Sequence, residues 1–243
     1  MAEPELSSLD ALATDKHHHR DLHGGTARAA VFGVSDGLVS NVSLILGVAG
    51  ANPAPGVVRL AGLAGLIAGA VSMAAGEFVS MKAQGELLER ELDMERIELR
   101  RNPQVETMEL SQLYADRGIQ PDRARALAED VMRDPDLALE AHAREELGIN
   151  PNALGSPRGA AGSSFVSFTL GAALPLLPWF FAHGAVAVLA SVILGAVGAV
   201  CVGLALARFT GRPPLRLAVR QLAIAAVAAA VTSAVGALVG VSV

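Results

Sequence analysis

Cysteine is nearly missing from this chain. Cys201 stands alone, so no disulfide can form within it and no thiolate cluster can hold zinc. Aromatic residues are scarce, at 4%, and charged residues make up 18% against about 25% in ordinary soluble domains. With a net charge of −5, the chain lacks the basic face that phosphate backbones require, which excludes nucleic acid as a main partner. A Gly-x-Ser-x-Gly elbow, a phosphate-binding loop and a dinucleotide fingerprint are absent too, so no enzyme class is supported. The opening MAEPELSSLDALATD is acidic and has no apolar core, unlike a secretory signal.

What the chain has instead is apolar sequence, 52% of its residues, with a mean hydropathy of +0.44. Gly159 to Ala207 contains no Asp, Glu, Lys or Arg. A helix crosses about 30 Å of hydrocarbon with about 20 residues, so that stretch holds two spans. Residues 29–58 and 60–81 are each long enough for one more, and a last apolar run covers 217–240. From Lys82 to Arg158, by contrast, Glu, Asp and Arg crowd together. The expected fold is an all-α integral membrane protein of five transmembrane helices, with a cytoplasmic helical bundle inserted between spans two and three. Its parts are a polar, histidine-containing tail over 1–27 with His17, His18, His19 and His23, spans one and two over 28–82, the insert over 83–158, and spans three to five over 159–243.

Helix breakers set the boundaries. ANPAPG between the first two spans is too short for anything but an antiparallel pair. The second span continues through GELLERELDMERIELRR to Asn102-Pro103, which predicts one rod running from the membrane into the insert. Gly118, Pro121, Pro135 and Gly148 mark three further helices, and Pro175 and Pro178 predict a bend in span three. Lys16, Arg20 and Arg28 precede span one, Arg158 precedes span three, and Arg208, Arg212, Arg216 and Arg220 surround the loop before span five, whereas the loops at 51–56 and 182–184 carry no cation. By the positive-inside rule, the N-terminus and the insert are expected in the cytoplasm and the C-terminus outside.

Asp36 and Glu77 are the single charged residues of the first two apolar stretches. A carboxylate in hydrocarbon is costly, and its usual reasons are a paired partner, a water-filled path or a bound cation. Ser40 follows Asp36 at i+4 and Ser43 at i+7, with Asn41 nearby, so a polar stripe for a translocated ion competes with simple bonding between helices. Met73 lies at i−4 from Glu77; a thioether facing a carboxylate suits Fe²⁺ better than Mg²⁺ or Ca²⁺. In the insert, Glu95 and Glu98 share a helix face with Glu91, Glu106 and Glu109 lie at i, i+3, and His142 and Glu146 at i, i+4. These are either solvated faces, partly neutralised by Arg96, Arg100 and Arg101, or three helices converging on divalent cations. A ferritin-like di-iron site is not supported, because His142-x-x-Glu145 reverses the required order and occurs once.

SDGLVSNVSLILGVAG, AGAVSMAAGEFVSMKAQGE, the Glu-rich helices and SFTLGAALPLLP, in this order, resemble the vacuolar iron transporter family from Arg28 to the C-terminus. The resemblance implies a homodimeric five-span carrier that exports Fe²⁺, and often Mn²⁺, from the cytosol in exchange for protons, with no permanently bound cofactor. It implies that Asp36 and Met73 line the membrane pathway with Glu77 beside them, and that Glu95, Glu98, Glu106, Glu109 and Glu146 bind metal in the insert. Where the plant-like pattern has two methionines before the last of these, this chain has His142 and Ala143, so an imidazole stands in for sulfur. A broader divalent-metal exporter, or a non-transporting scaffold whose insert binds a partner, are the alternatives. Ala- and Arg-rich composition favours a bacterial inner membrane over a vacuole.

Overall fold

The computed structural model describes residues 25–148, 150 and 155–240; the N-terminal histidines lie outside them. Eight α-helices and one 3₁₀ turn make up the described residues: α1 (Gly25–Gly50), α2 (Pro55–Arg101), α3 (Pro103–Asp116), α4 (Pro121–Val131), α5 (Pro135–Glu145), α6 (Pro157–Leu176) with the 3₁₀ turn Leu177–Phe180, α7 (Gly184–Thr210) and α8 (Pro214–Gly240). Five of them, α1, α2, α6 with its 3₁₀ turn, α7 and α8, are long and apolar enough to cross a membrane.

Proline opens most of these helices because its fixed φ suits the first turn, where its missing N–H removes no hydrogen bond. α2 is the rod expected from the sequence. Its 47 residues measure about 70 Å at 1.5 Å per residue, more than twice the hydrocarbon thickness, so its second half must stand clear of the membrane.

α1 is the hub of the apolar layer and packs against α2, α6, α7 and α8. Its glycines permit this. A Cβ at Gly37 would overlap the backbone of Phe168 on α6, and one on Gly236 of α8 would overlap the backbone of Gly47. Such backbone-to-backbone approaches supply the van der Waals contact that holds helices together in lipid, where no hydrophobic drive separates helix from tail. The bend expected at Pro175 and Pro178 takes the form of the 3₁₀ turn. There the Pro175 carbonyl accepts a hydrogen bond from Ser191 Oγ at 2.7 Å, and Trp179 Nε1 donates to the same hydroxyl at 3.0 Å. Around it, Trp179, Leu176, Ile45, Val58 and Ala187 close the core near the α1–α2 turn.

In the insert, α5 lies along the outer half of α2 through Leu92, Leu139 and Ala143, with Leu88 and Leu99 at the edge. On α2 the positions 88, 92, 95 and 99 follow i, i+4, i+7, i+11 and form one seam. Glu95 occupies a place in that seam where an apolar residue would be expected.

Candidate metal centre and membrane carboxylates

Three helices bring an imidazole and three carboxylates to one point. His142 on α5 is fully buried, and Glu95 on α2 and Glu106 on α3 are nearly so. His142 Nδ1 lies 3.2 Å from Glu95 Oε1, 3.4 Å from Glu146 Oε2 and 3.8 Å from Glu106 Oε2. One ligand atom each from Glu95, His142 and Glu146 can be chosen so that all lie within 4.8 Å of one another. Neither Glu95 Oε1 nor His142 Nε2 has a hydrogen-bond partner, although both are buried. Buried polar atoms without a hydrogen bond are costly, and three carboxylates packed around one imidazole nitrogen fit a cation seated among them.

The rim is acidic. Glu98 and Glu109 are exposed at its edge, and Glu146 is partly exposed. Two basic residues of the insert are engaged outside the cluster: Arg96 pairs with Asp93 at 2.7 Å, and Arg117 pairs with Glu145, tying the end of α3 to α5. Glu145 is thereby paired outside the cluster, while its neighbour Glu146 turns toward His142. Asp134 caps α5, accepting from the backbone N–H groups of Asp136 and Leu137, which fixes the helix that presents His142.

Burial pushes Glu95 up from 4.5 to about 7, and the negative charges of Glu146, Glu106, Glu98 and Glu109 add to the shift. Glu106 is raised by burial as well, with the His142 imidazole working against the rise and Glu109, Glu98 and Glu146 reinforcing it. Glu95 therefore binds a proton more tightly folded than unfolded. Its stabilising contribution is fully present below pH 4.5 and is lost as pH rises through about 7, so without metal the fold weakens on going from acid to neutral pH. A divalent ion seated at Glu95 would have to displace that proton. Below pH 7 its affinity is expected to rise about tenfold per pH unit and to level off above, as calorimetric titration of the full chain with Mn²⁺ at several pH values would read.

The membrane carboxylates sit differently. Asp36, half-buried on α1, accepts a hydrogen bond from Ser40 Oγ at 2.8 Å. Ser40 itself is exposed, as is Leu44 one turn on, whereas Ser43 is buried and lines an apolar groove of about 520 Å³ with Gly47, Thr232 and Gly236. The stripe expected through 36, 40 and 43 thus stops at Ser40. Asn41 is buried and spends its amide on α6, donating to the Ala172 carbonyl at 2.6 Å, while its Oδ1 has no partner. Met73, expected to line the membrane pathway with Asp36, packs against Phe168, Ala70 and Ala172. Phe168 bridges the helices here, its backbone on Gly37 of α1 and its ring on Gly69 of α2. Glu77, one turn beyond Met73, accepts a hydrogen bond from Arg28 Nη2 at 3.2 Å.

Sequence reasoning missed Phe168, the Arg28–Glu77 pair and Gln221, a buried amide on α8 that donates to Ser35 Oγ beside Asp36. The signal for Gln221 was available, since it is a lone amide within an apolar helix. For the other two, nothing along the chain announces the contact.

Residues 27–237 match the model of the VIT family. Vacuolar iron transporter 1 of Arabidopsis thaliana is 33% identical over 232 residues, covering 94% of this chain and 90% of its own length. The vacuolar iron transporter of Acanthamoeba castellanii is 38% identical over 201 residues, covering 80% and 73%. Vacuolar iron transporter 1 of Eucalyptus grandis is 33% identical, with 87% of each chain covered. All three are named as transporters, in line with the lack of enzyme motifs. By its match to the family model along nearly its whole length, the chain belongs to the VIT family.

Proposed function

We propose that this chain carries divalent metal ions across a membrane, ferrous iron foremost and manganese with it, outward from the cytosol and in exchange for protons. The observation that carries the proposal is α2. One unbroken helix bears Met73 and Glu77 in its apolar half and Glu95 in the buried cluster of its polar half, so a site that collects a cation and the carboxylates that would pass it on share one rigid element. The relatives' names support iron as cargo. The imidazole-and-carboxylate set of Glu95, Glu106, Glu146 and His142, with Glu98 and Glu109 at its rim, suits Fe²⁺, Mn²⁺ and other first-row ions alike, which supports a broad preference.

Export follows from orientation. Arg28, Arg158, Arg208 and Arg212 lie at the ends of the apolar helices on the insert's side, which supports a cytosolic insert in a bacterial cell membrane and a C-terminus on the far side. Proton exchange is supported by the two carboxylates on apolar helices, Asp36 and Glu77, whose oxygens can meet a cation or a proton in turn. Asp36 and Ser40 share a face of α1 with the exposed Phe32 and Leu44. Facing lipid, that carboxylate would be costly, which supports a homodimer whose second copy covers it, with Met73, Ser40 and Asn41 beside the path.

Full-length protein in proteoliposomes tests the proposal. Fe²⁺ kept reduced should cross, and an opposing proton gradient should raise the flux several-fold. No flux of any divalent ion would end the carrier reading in favour of a scaffold, and flux indifferent to the gradient would remove the proton coupling alone.

A further inference from the structure

Glu77 is the only acidic residue of α2 between Arg59 and Lys82, and the structure supplies it with a partner 49 positions away. Lys82, nearer in sequence, is engaged with Glu86 at 3.4 Å. Arg28 stands on the second turn of α1, eight residues before Asp36, which is about 12 Å along the axis. The pair therefore joins the start of α1 to the middle of α2, where the apolar half of α2 gives way to its polar half. Its two members differ in exposure: the Glu77 side chain is 12% exposed, the Arg28 side chain 65%.

That asymmetry decides what the contact can do. A largely buried carboxylate needs a counter-charge, and here it comes from a guanidinium that remains mostly in water and makes one hydrogen bond rather than a bidentate fork. Ion pairs with an exposed member are weak and exchangeable, unlike buried bidentate ones. A divalent ion approaching Glu77 meets a monovalent competitor that is easily displaced and, being tethered, returns when the ion has moved on.

Resting on the assignment of Glu77 to the pathway, we propose that Arg28 is a tethered counter-cation: it occupies Glu77 between transport events, is displaced by each incoming divalent ion, and sets the apparent affinity at the cytosolic entrance. Removing it removes a competitor. Arg28→Gln is expected to lower the KM for Mn²⁺ in proteoliposomes about two- to fivefold, the factor a weak surface pair is worth, without raising kcat. Arg28→Lys, which keeps the charge and can make a single hydrogen bond, should return KM most of the way to the wild-type value.

A second measurement uses the unaltered protein. Phenylglyoxal modification of Arg28, followed by peptide mass spectrometry, should quicken as Mn²⁺ is added, because the displaced guanidinium is freed. An unchanged or higher KM in Arg28→Gln, or labelling indifferent to Mn²⁺, overturns the proposal. Glu77→Gln separates the two levels. If it impairs transport while Arg28→Gln leaves KM unchanged, the pathway assignment stands and the counter-cation falls; if Glu77→Gln transports with wild-type KM, both fall.

Discussion

Asp36→Asn is expected to abolish metal flux and to leave divalent-ion binding in the insert intact. Asn has the shape of Asp and retains an oxygen to accept the Ser40 hydroxyl at its observed 2.8 Å, so the substitution changes charge and little else. The fold around position 36 rests on other contacts: Gly33 and Gly37 against α6, Leu38 in the cluster with Ala199 and Ala225, and Ser35 against Gln221. What disappears is the sole negative charge of α1. At an effective dielectric of about 20, two unit charges 4 Å apart attract by about 4 kcal/mol, and about 2.8 kcal/mol already corresponds to a factor of a hundred. Flux should therefore fall at least about a hundredfold. Calorimetric titration of the same variant should still find the insert's site, since Glu95, Glu106, His142 and Glu146 lie beyond the apolar half of α2. Wild-type flux in Asp36→Asn would reduce Asp36 to a helix-packing residue and remove the membrane half of the proposed pathway.

The helices were legible in the chain because their signals are local. Pro55, Pro103, Pro121, Pro135 and Pro157 each open a helix, Gly118 and Gly148 adopt positive φ after the ends of α3 and α5, and no proline interrupts α2 before Asn102. The acidic faces of the insert were legible as residues but not as a centre. Glu91, Glu95 and Glu98 look alike in sequence, yet only Glu95 falls in the 88–92–95–99 seam under α5, and Glu98 remains exposed. Period alone could have separated them, had the seam been read through the charge. Contacts set by tertiary geometry carried no such signal. Phe168 between α1 and α2, Asn41 on the Ala172 carbonyl and Arg28 on Glu77 join residues 49 to 131 positions apart, and depend on where glycines let helices meet.

Replacing His142 should weaken the insert's affinity for divalent ions about 10- to 100-fold, the range over which a single supporting group tunes a metal site, and should do so unequally between metals. His142 is the only nitrogen donor facing Glu95, Glu106 and Glu146 among the described residues, and its Nδ1 lies within 3.8 Å of all three. Imidazole favours first-row ions late in the series, whereas carboxylates alone suffice for Mn²⁺. His142→Ala is thus expected to cost most with Zn²⁺ and Co²⁺, less with Fe²⁺ and least with Mn²⁺. The same change removes the one influence that holds Glu106 down, so a proton on Glu106 should compete more strongly with the ion. Because the imidazole is fully buried, its loss also leaves a cavity between α2, α3 and α5, and His142→Met serves as the volume-matched comparison. The two variants should part company in a defined way: both lose Zn²⁺ affinity, but the soft thioether, a donor that borderline Fe²⁺ accepts, should spare Fe²⁺. Equal loss for every metal in both variants would mean that His142 only fills space, and that the carboxylates alone make the site.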